Sequence, residues 1–375
     1  MAFAVALPQI AAEWQLSASE AGWIGGIYFA GYAAGVPLLA SATDRYDTRK
    51  LYIGSSLLGA AACVTFAAYA DGLALALALR LLGGIALAGV HMPGLKLLTD
   101  RIDGQAQARA TAIYASVYAA GSAISFLISG LVEAAYGWRA MFLAVGMGPL
   151  LAGAAVAWLS ATPRRERGGS PLPGLGLGPV LRNRALMAYV LGYAGNTWEV
   201  FAIRFWFVAG LAWTLSLPGN ALALPALGVV SGVAALAGLP VSIAVAEIAS
   251  RHGRRRTILA VCAASVAVCL ALAATAGGSA GMVLTLLVLL QITSFADVGT
   301  LSSGAVAAAD PARRGTALAV YAFTGSVTGS IGPVAVGVML DAFGGAQSST
   351  GWTAAFVTMA LGSAAAAWAV RRLGD

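Results

Sequence analysis

Long apolar runs, each near the length of a bilayer-crossing helix, alternate with short polar joints along almost the whole chain. A helix needs roughly 20 apolar residues to cross the hydrocarbon core. On that ruler the pattern predicts an apolar stub at 1–11, then spans at about 19–42, 51–69, 73–98, 110–132 and 139–160. A second series follows at about 185–208, 223–246, 257–276, 281–305, 315–340 and 352–370. The expectation is an all-α integral membrane protein of twelve transmembrane helices, the first of which is largely missing.

The polar joints repeat. Thr43–Tyr52 reads TDRYDTRKLY, and some 206 residues later Ser250–Ile258 reads SRHGRRRTI, each between two apolar runs. Arg109-Ala-Thr-Ala opens the fifth span and Arg314-Gly-Thr-Ala the eleventh, with Asp103 and Asp310-Pro311 as helix-start signals before them. Gly137-Trp-Arg-Ala-Met-Phe leads into the sixth span, and Gly351-Trp-Thr-Ala-Ala-Phe into the twelfth. Internal duplication of this kind is characteristic of secondary transporters. The expected organisation is an N-terminal helical bundle at 1–161, a cytoplasmic linker at 162–184 and a C-terminal bundle at 185–375. Pro, Gly and Arg make that linker flexible. Shifting the seventh span back by about 205 residues places its partner mostly before Met1. The expectation is an upstream start or a fragment. The first residues lack a basic start and a small-residue cleavage site, so they do not read as a signal peptide.

Composition agrees. The 375 residues are 59% hydrophobic and 10% charged, with mean hydropathy +0.83, where soluble domains carry about 25% charge. A net charge of +7 would suit nucleic acid, but placement decides against that partner. The joints at 43–50, 96–109, 162–184, 251–256 and 310–314 and the tail at 371–375 hold 19 of the 22 Lys and Arg residues. The alternate joints hold Glu13, Glu20, Asp71, Glu133 and Asp341, with Arg139 their one cation. By the positive-inside rule both termini are cytoplasmic, in a plasma (bacterial inner) membrane. Cys63, Cys262 and Cys269 fall inside spans and read as packing residues. No phosphate-binding Gly-x-x-x-x-Gly-Lys-Ser/Thr and no Cys/His cluster is present. The expectation is no metal, no cofactor and no enzyme activity.

The residues of the first basic joint resemble the major facilitator superfamily. Its loop between spans two and three reads roughly Gly-x-x-x-Asp-Arg-x-Gly-Arg-Arg. Asp44, Arg45 and Arg49 match it, while Ala40, Asp47 and Thr48 depart. The second copy keeps Arg251, Gly253, Arg254 and Arg255 but has Ser250 in place of the acid. A further family mark, Arg-x-x-Gln-Gly in span four, stands here as Arg80-Leu-Leu-Gly83-Gly84. The resemblance implies two six-helix bundles related by a pseudo-twofold axis, working as a monomer by alternating access. It also implies that Asp44, Arg45, Arg49, Arg251, Arg254 and Arg255 form a gating latch. In it, Asp44 sits at the N-terminus of span eleven and Arg45 reaches Asp100.

Ionisable side chains inside spans are the remaining signals, since each is costly in lipid unless paired or facing water. Arg80, Gly84, Leu87 and His91 share one face of span four at about 100° per residue. An arginine and a histidine on one stripe could hold an anion or relay protons. Gly192, Asn196, Glu199 and Trp206 share a face of span seven, and a carboxyl held away from water, as at Glu199, can load and release a proton. Asp297 is the acid of span ten. Tyr114 and Tyr118 on span five, and Tyr321, Gly325, Thr328 and Gly332 on span eleven, are either cavity walls or close-packing stripes. Arg204, about 140° around the helix from Glu199, reads as an outer-interface anchor, as do Trp138 and Trp352. The candidate pathway is thus Arg80, His91, Tyr118, Asn196, Glu199 and Asp297. Its expected partners are a small organic solute, with an anion as one option, and protons. The rival readings are a proton-driven multidrug antiporter and, from another class, a polytopic membrane enzyme or receptor.

Overall fold

The computed structural model describes residues 1–102, 105–159 and 177–373, and among them every regular element is a helix. The side chains of Asp44 and Tyr118, the proposed cap Asp103 and the linker as far as 176 lie outside the described residues. The N-terminal half comprises α1 (Ala2–Trp14), α2 (Ala18–Arg45), α3 (Thr48–Tyr69), α4 (Leu73–Thr99) and α5 (Gln105–Ala157). Helix α5 carries both the fifth and sixth spans, turned at Gly137, whose φ of 78° is open to glycine at little cost. The short α6 (Leu177–Arg182) leads into α7 (Arg184–Ser216), α8 (Leu227–His252) and α9 (Arg254–Ala274). The tenth span is broken at Asp297 into α10 (Ala280–Ala296) and α11 (Val298–Ala308). α12 (Arg314–Ala342) and α13 (Ser349–Leu373) complete the chain as the eleventh and twelfth spans.

Local chemistry explains several boundaries. α2 starts with a reciprocal capping box: Ser17 Oγ accepts from the Glu20 amide at 3.1 Å, and Glu20 accepts from the Ser17 amide at 2.8 Å. Asp47 caps α3 by accepting from the Arg49 amide. Asn183 caps α7 and also donates to Ala308 O, which ties α7 to the end of α11.

The halves meet chiefly through α2 against α12, α5 against α8, and α1 against α7. Small residues bring these helices close. Gly130 of α5 and Gly228 of α8 pack backbone to backbone, and a Cβ on either would lie 2.7 Å from the other's main chain. Along α2, Gly22 and Gly26 lie against the α12 backbone, whereas Gly31 and Gly35 lie against α4. Along α12, Gly337 lies against Ala18 of α2, whereas Gly325 and Gly329 lie against Tyr193 and Phe201 of α7. The two helices therefore touch across the half nearer the acidic loops. Toward the basic joints each turns its small residues to its own bundle.

Three expectations need correction. Trp138 and Trp352 are 4% and 1% exposed, packed in the apolar core instead of sitting among headgroups. Their indole N–H groups find Glu13 and the Ala346 carbonyl inside the protein. Arg204 is 8% exposed, with its guanidinium 5.0 Å from the centre of the Phe295 ring, so it is no outer anchor. In each case a neighbouring helix covers a residue that, on an isolated span, would face the interface.

Candidate functional site

Span four presents Arg80, Gly84 and His91 to α2, as their shared helical face requires. The Arg80 guanidinium lies 4.2 Å from the centre of the Tyr28 ring and 5.7 Å from that of Phe3. Its Nε makes a long hydrogen bond, 3.4 Å, to Ile24 O. Among the described residues no carboxylate pairs with it, and its Nη groups have no protein acceptor. Tyr28 stands edge-on to Phe29, and Phe29 meets Phe201 of α7 at a centroid distance of 4.1 Å. Arg80 is thus a cation without a counter-ion among the described residues, beside an aromatic contact that joins the two halves, at the level where α2 and α12 part.

His91 lies three turns further along α4, or about 16 Å. Its Nδ1 is 2.7 Å from the Tyr32 hydroxyl, and its ring is stacked with Tyr114, whose hydroxyl donates to His91 O at 2.9 Å. The structure does not bring Arg80 and His91 into one contact.

The C-terminal half gathers Asn196, Glu199 and Asp297 in its interior. Glu199 is fully buried and accepts from Ser265 Oγ of α9 at 2.5 Å, from Ser363 Oγ of α13, and from Cys269 Sγ at 3.5 Å. Asp297, 2% exposed at the break between α10 and α11, accepts from Asn196 Nδ2 at 2.8 Å and from the Cys262 thiol at 3.9 Å. Asn196 Nδ2 also donates to Ser294 O at 2.7 Å. The Ser265 and Thr293 hydroxyls, 3.2 Å apart, link the two carboxylate neighbourhoods. Every one of these partners belongs to the C-terminal half.

Sequence reasoning missed the face of α7 that meets the other half. It is the end of the four-residue stripe Tyr193, Thr197, Phe201, Phe205, in which Phe201 and Phe205 reach the N-terminal half while Tyr193 and Thr197 meet α12 of their own half. Tyr193 stacks on Tyr321 at 4.1 Å, Thr197 and Thr328 hydroxyls are 2.8 Å apart, and Phe205 stacks on Phe3 at 6.0 Å. The period was visible in the sequence, but the acid drew attention to the opposite face. On α12, Tyr321, Gly325, Thr328 and Gly332 serve close packing against α7, and Gly332 abuts Trp198 O.

The basic joints are tied within their own halves. Asp100 pairs with Lys96 at 2.7 Å, and no Arg45–Asp100 ion pair forms among the described residues. A lysine one turn away satisfies the acid without a long reach. Arg45 is exposed. Arg49 donates to Ala157 O at 3.0 Å, and Arg255 to Arg371 O at 2.8 Å. Those repeat-related arginines each cap the last helix of their own bundle. Arg251 pairs with Glu247 at 2.7 Å, while Arg254 is exposed.

Two hydrogen bonds that cross between the halves lie at the acidic-loop end. Both carboxylate oxygens of Asp341, at the end of α12, accept amides at the start of α2: Ala18 N at 2.9 Å and Ser19 N at 2.7 Å. An anion on a helix N-terminus is favourable. The signal that could have found Asp341 is an acid at the end of span eleven opposite the capped start of span two.

The architecture is shared by solved transporters. A bacterial homolog of the human lysosomal transporter Spinster, inward-facing and unoccupied, superposes with TM-score 0.78 at 18% identity, covering 99% of this chain and 92% of that one. The nucleoside transporter NupG gives 0.77 at 13% identity, covering 99% and 94%. Among curated proteins, the niacin transporter NiaP of Acinetobacter baylyi is 29% identical over 135 residues, 36% of this chain and 30% of the relative. The multidrug efflux pump LfrA of Mycolicibacterium smegmatis is 35% identical over 143 residues, 37% and 28%. The benzoate transport protein of Acinetobacter baylyi is 23% identical over 149 residues, 39% and 32%. The matched segments thus span about a third of these relatives' lengths. Two helical halves joined at one end, each built from a recognisable repeat, are accounted for by the family description that fits residues 1–333, and the chain belongs to the Major Facilitator Superfamily.

Proposed function

We propose that this protein is a secondary active transporter that moves a small organic anion by alternating access. The observation that carries the anion is Arg80: a guanidinium inside a span, with no carboxylate partner among the described residues, beside Tyr28 and the Phe29–Phe201 contact. A cation inside a span with no counter-ion among the described residues favours an anionic ligand, and the flanking rings suit a planar apolar body. Niacin and benzoate, named for two relatives, are aromatic carboxylic acids, which supports the same class.

With the basic joints cytoplasmic by the positive-inside rule, the Asp341 latch lies outside and the conformation is inward-facing. Closure of the other end falls to the basic joints, with Asp44 meeting the N-terminus of α12. The energy source in this reading is a proton held at Glu199 and released as the C-terminal half rearranges. A multidrug exporter is the second reading, favoured by the likeness to LfrA.

The test is uptake of radiolabelled nicotinate and benzoate into proteoliposomes under an imposed pH gradient. Wild-type accumulation, lost in Arg80→Gln, supports the reading. Transport of lipophilic cations that ignores Arg80→Gln supports the second. For coupling, Glu199→Gln should abolish gradient-driven accumulation yet retain solute counterflow. Loss of both would make Glu199 a structural anchor only.

A further inference from the structure

The two basic joints differ in a way that points to a ligand. The first carries Asp44 and Asp47 among its cations, and Asp47 caps α3. The second, Ser250–Arg256, carries four arginines and a histidine with no acid at all. Three of those arginines, Arg254, Arg255 and Arg256, are the first three residues of α9, whose cap is Gly253 at φ 93° with no side-chain acceptor and no acid in the first turn. Cations at a helix N-terminus are unfavourable, and among the described residues no acid pairs with these three arginines. Glu247, the nearest acid in sequence, is already held by Arg251. Arg255 spends one N–H on Arg371 O. Arg254 and Arg256 are exposed and have no acceptor among the described residues.

These side chains gather around one open, shallow depression of the surface. With Tyr189, His252 and Gly253 they line a cleft of about 390 Å³. The cleft sits where α8 ends and the apolar run of α9 begins, a junction that the length of the spans puts near the membrane surface, and the Tyr189 ring gives it an apolar wall that packs on Gly304.

We propose that this cleft binds the phosphate of an anionic phospholipid from the leaflet at the basic-joint end, with Arg254 and Arg256 as its principal contacts. A headgroup phosphate supplies the negative charge that the first joint obtains from its own aspartates. Basic pockets between spans bind anionic headgroups by this chemistry, and each arginine near an anionic surface contributes about a fivefold gain in affinity. The proposal does not depend on which solute is transported.

The test uses the full chain in nanodiscs of phosphatidylcholine, of phosphatidylcholine with phosphatidylglycerol, and of phosphatidylcholine with added inorganic phosphate. Thermal unfolding and lipid retention by native mass spectrometry are read in each. The wild type should unfold at a higher temperature with phosphatidylglycerol and retain it preferentially, and phosphate should not substitute. Arg254→Gln/Arg256→Gln should lose that preference by roughly tenfold or more, while unfolding in phosphatidylcholine alone stays unchanged. Arg49→Gln, in the first joint, should keep it. The proposal falls if the double variant retains the preference, if inorganic phosphate stabilises equally well, or if the double variant is destabilised in phosphatidylcholine.

Discussion

The N-terminal and C-terminal halves treat their buried charge in opposite ways. Arg80 sits at the seam with α2, partly exposed, with one long hydrogen bond and donors to spare. Glu199 is sealed inside its bundle with three donors from two other helices, and Asp297 is held by Asn196 and Cys262. An under-satisfied charge is poised for a ligand, whereas a saturated one is committed to its neighbours until they move. The contrast is what the proposed function rests on, with recognition in the first half and energy storage in the second as its two testable parts.

The strongest attack on that contrast is Arg80→Gln. If the guanidinium meets the solute, its loss removes about 3 kcal/mol of charge-assisted bonding, or roughly 10²-fold in uptake affinity, with unfolding temperature unchanged. A large fall in stability with unaltered affinity would instead make Arg80 a packing residue. Next comes Glu199→Ala, which removes the acceptor of the Ser363 hydroxyl and leaves Ser265 only Thr293, and should cost about 2 kcal/mol, seen as lower thermal stability in detergent. Glu199→Gln keeps partners for both and should be milder. Equal effects of the two variants would show that the hydrogen bonds around Glu199 are not what anchors it.

Asp341→Asn probes the latch. Removing one charge from the α2 N-terminus is about 1 kcal/mol, a roughly fivefold shift toward the opposite-facing state. Cysteine accessibility on the two sides of the membrane measures it, and no shift would remove Asp341 from the gating scheme. The smallest effect is expected of the paired caps: Arg49→Gln and Arg255→Gln should each lower stability by about 0.5 kcal/mol. A large loss for either alone would break the symmetry of the two joints.

Much of the fold could be read from residue order. Span positions, the duplicated joints and the pairing of Gly137-Trp with Gly351-Trp follow from period and repeat, which act locally. The site was less legible. Helical spacing grouped Asn196 with Glu199 on α7 and Arg80 with His91 on α4, because angle around a helix follows from residue number. It could not say which neighbour each face meets. So helical spacing puts Asn196 and Glu199 on the candidate pathway but gives no sign that Phe201 and Phe205 reach the other half. Asp100 was assigned to Arg45, although Lys96 lay one turn away.

The sequence by itself determined that this chain lives in a membrane, folds as helices and is built twice over. Those properties follow from transfer energies and backbone hydrogen bonding, which each segment settles alone. Only the tertiary structure decided which ionisable groups are saturated and which are left open among the described residues, that Asp341 bonds the start of α2, and that Trp138 and Trp352 are interior. Such outcomes depend on which helix packs against which, and that is a property of the assembled bundle.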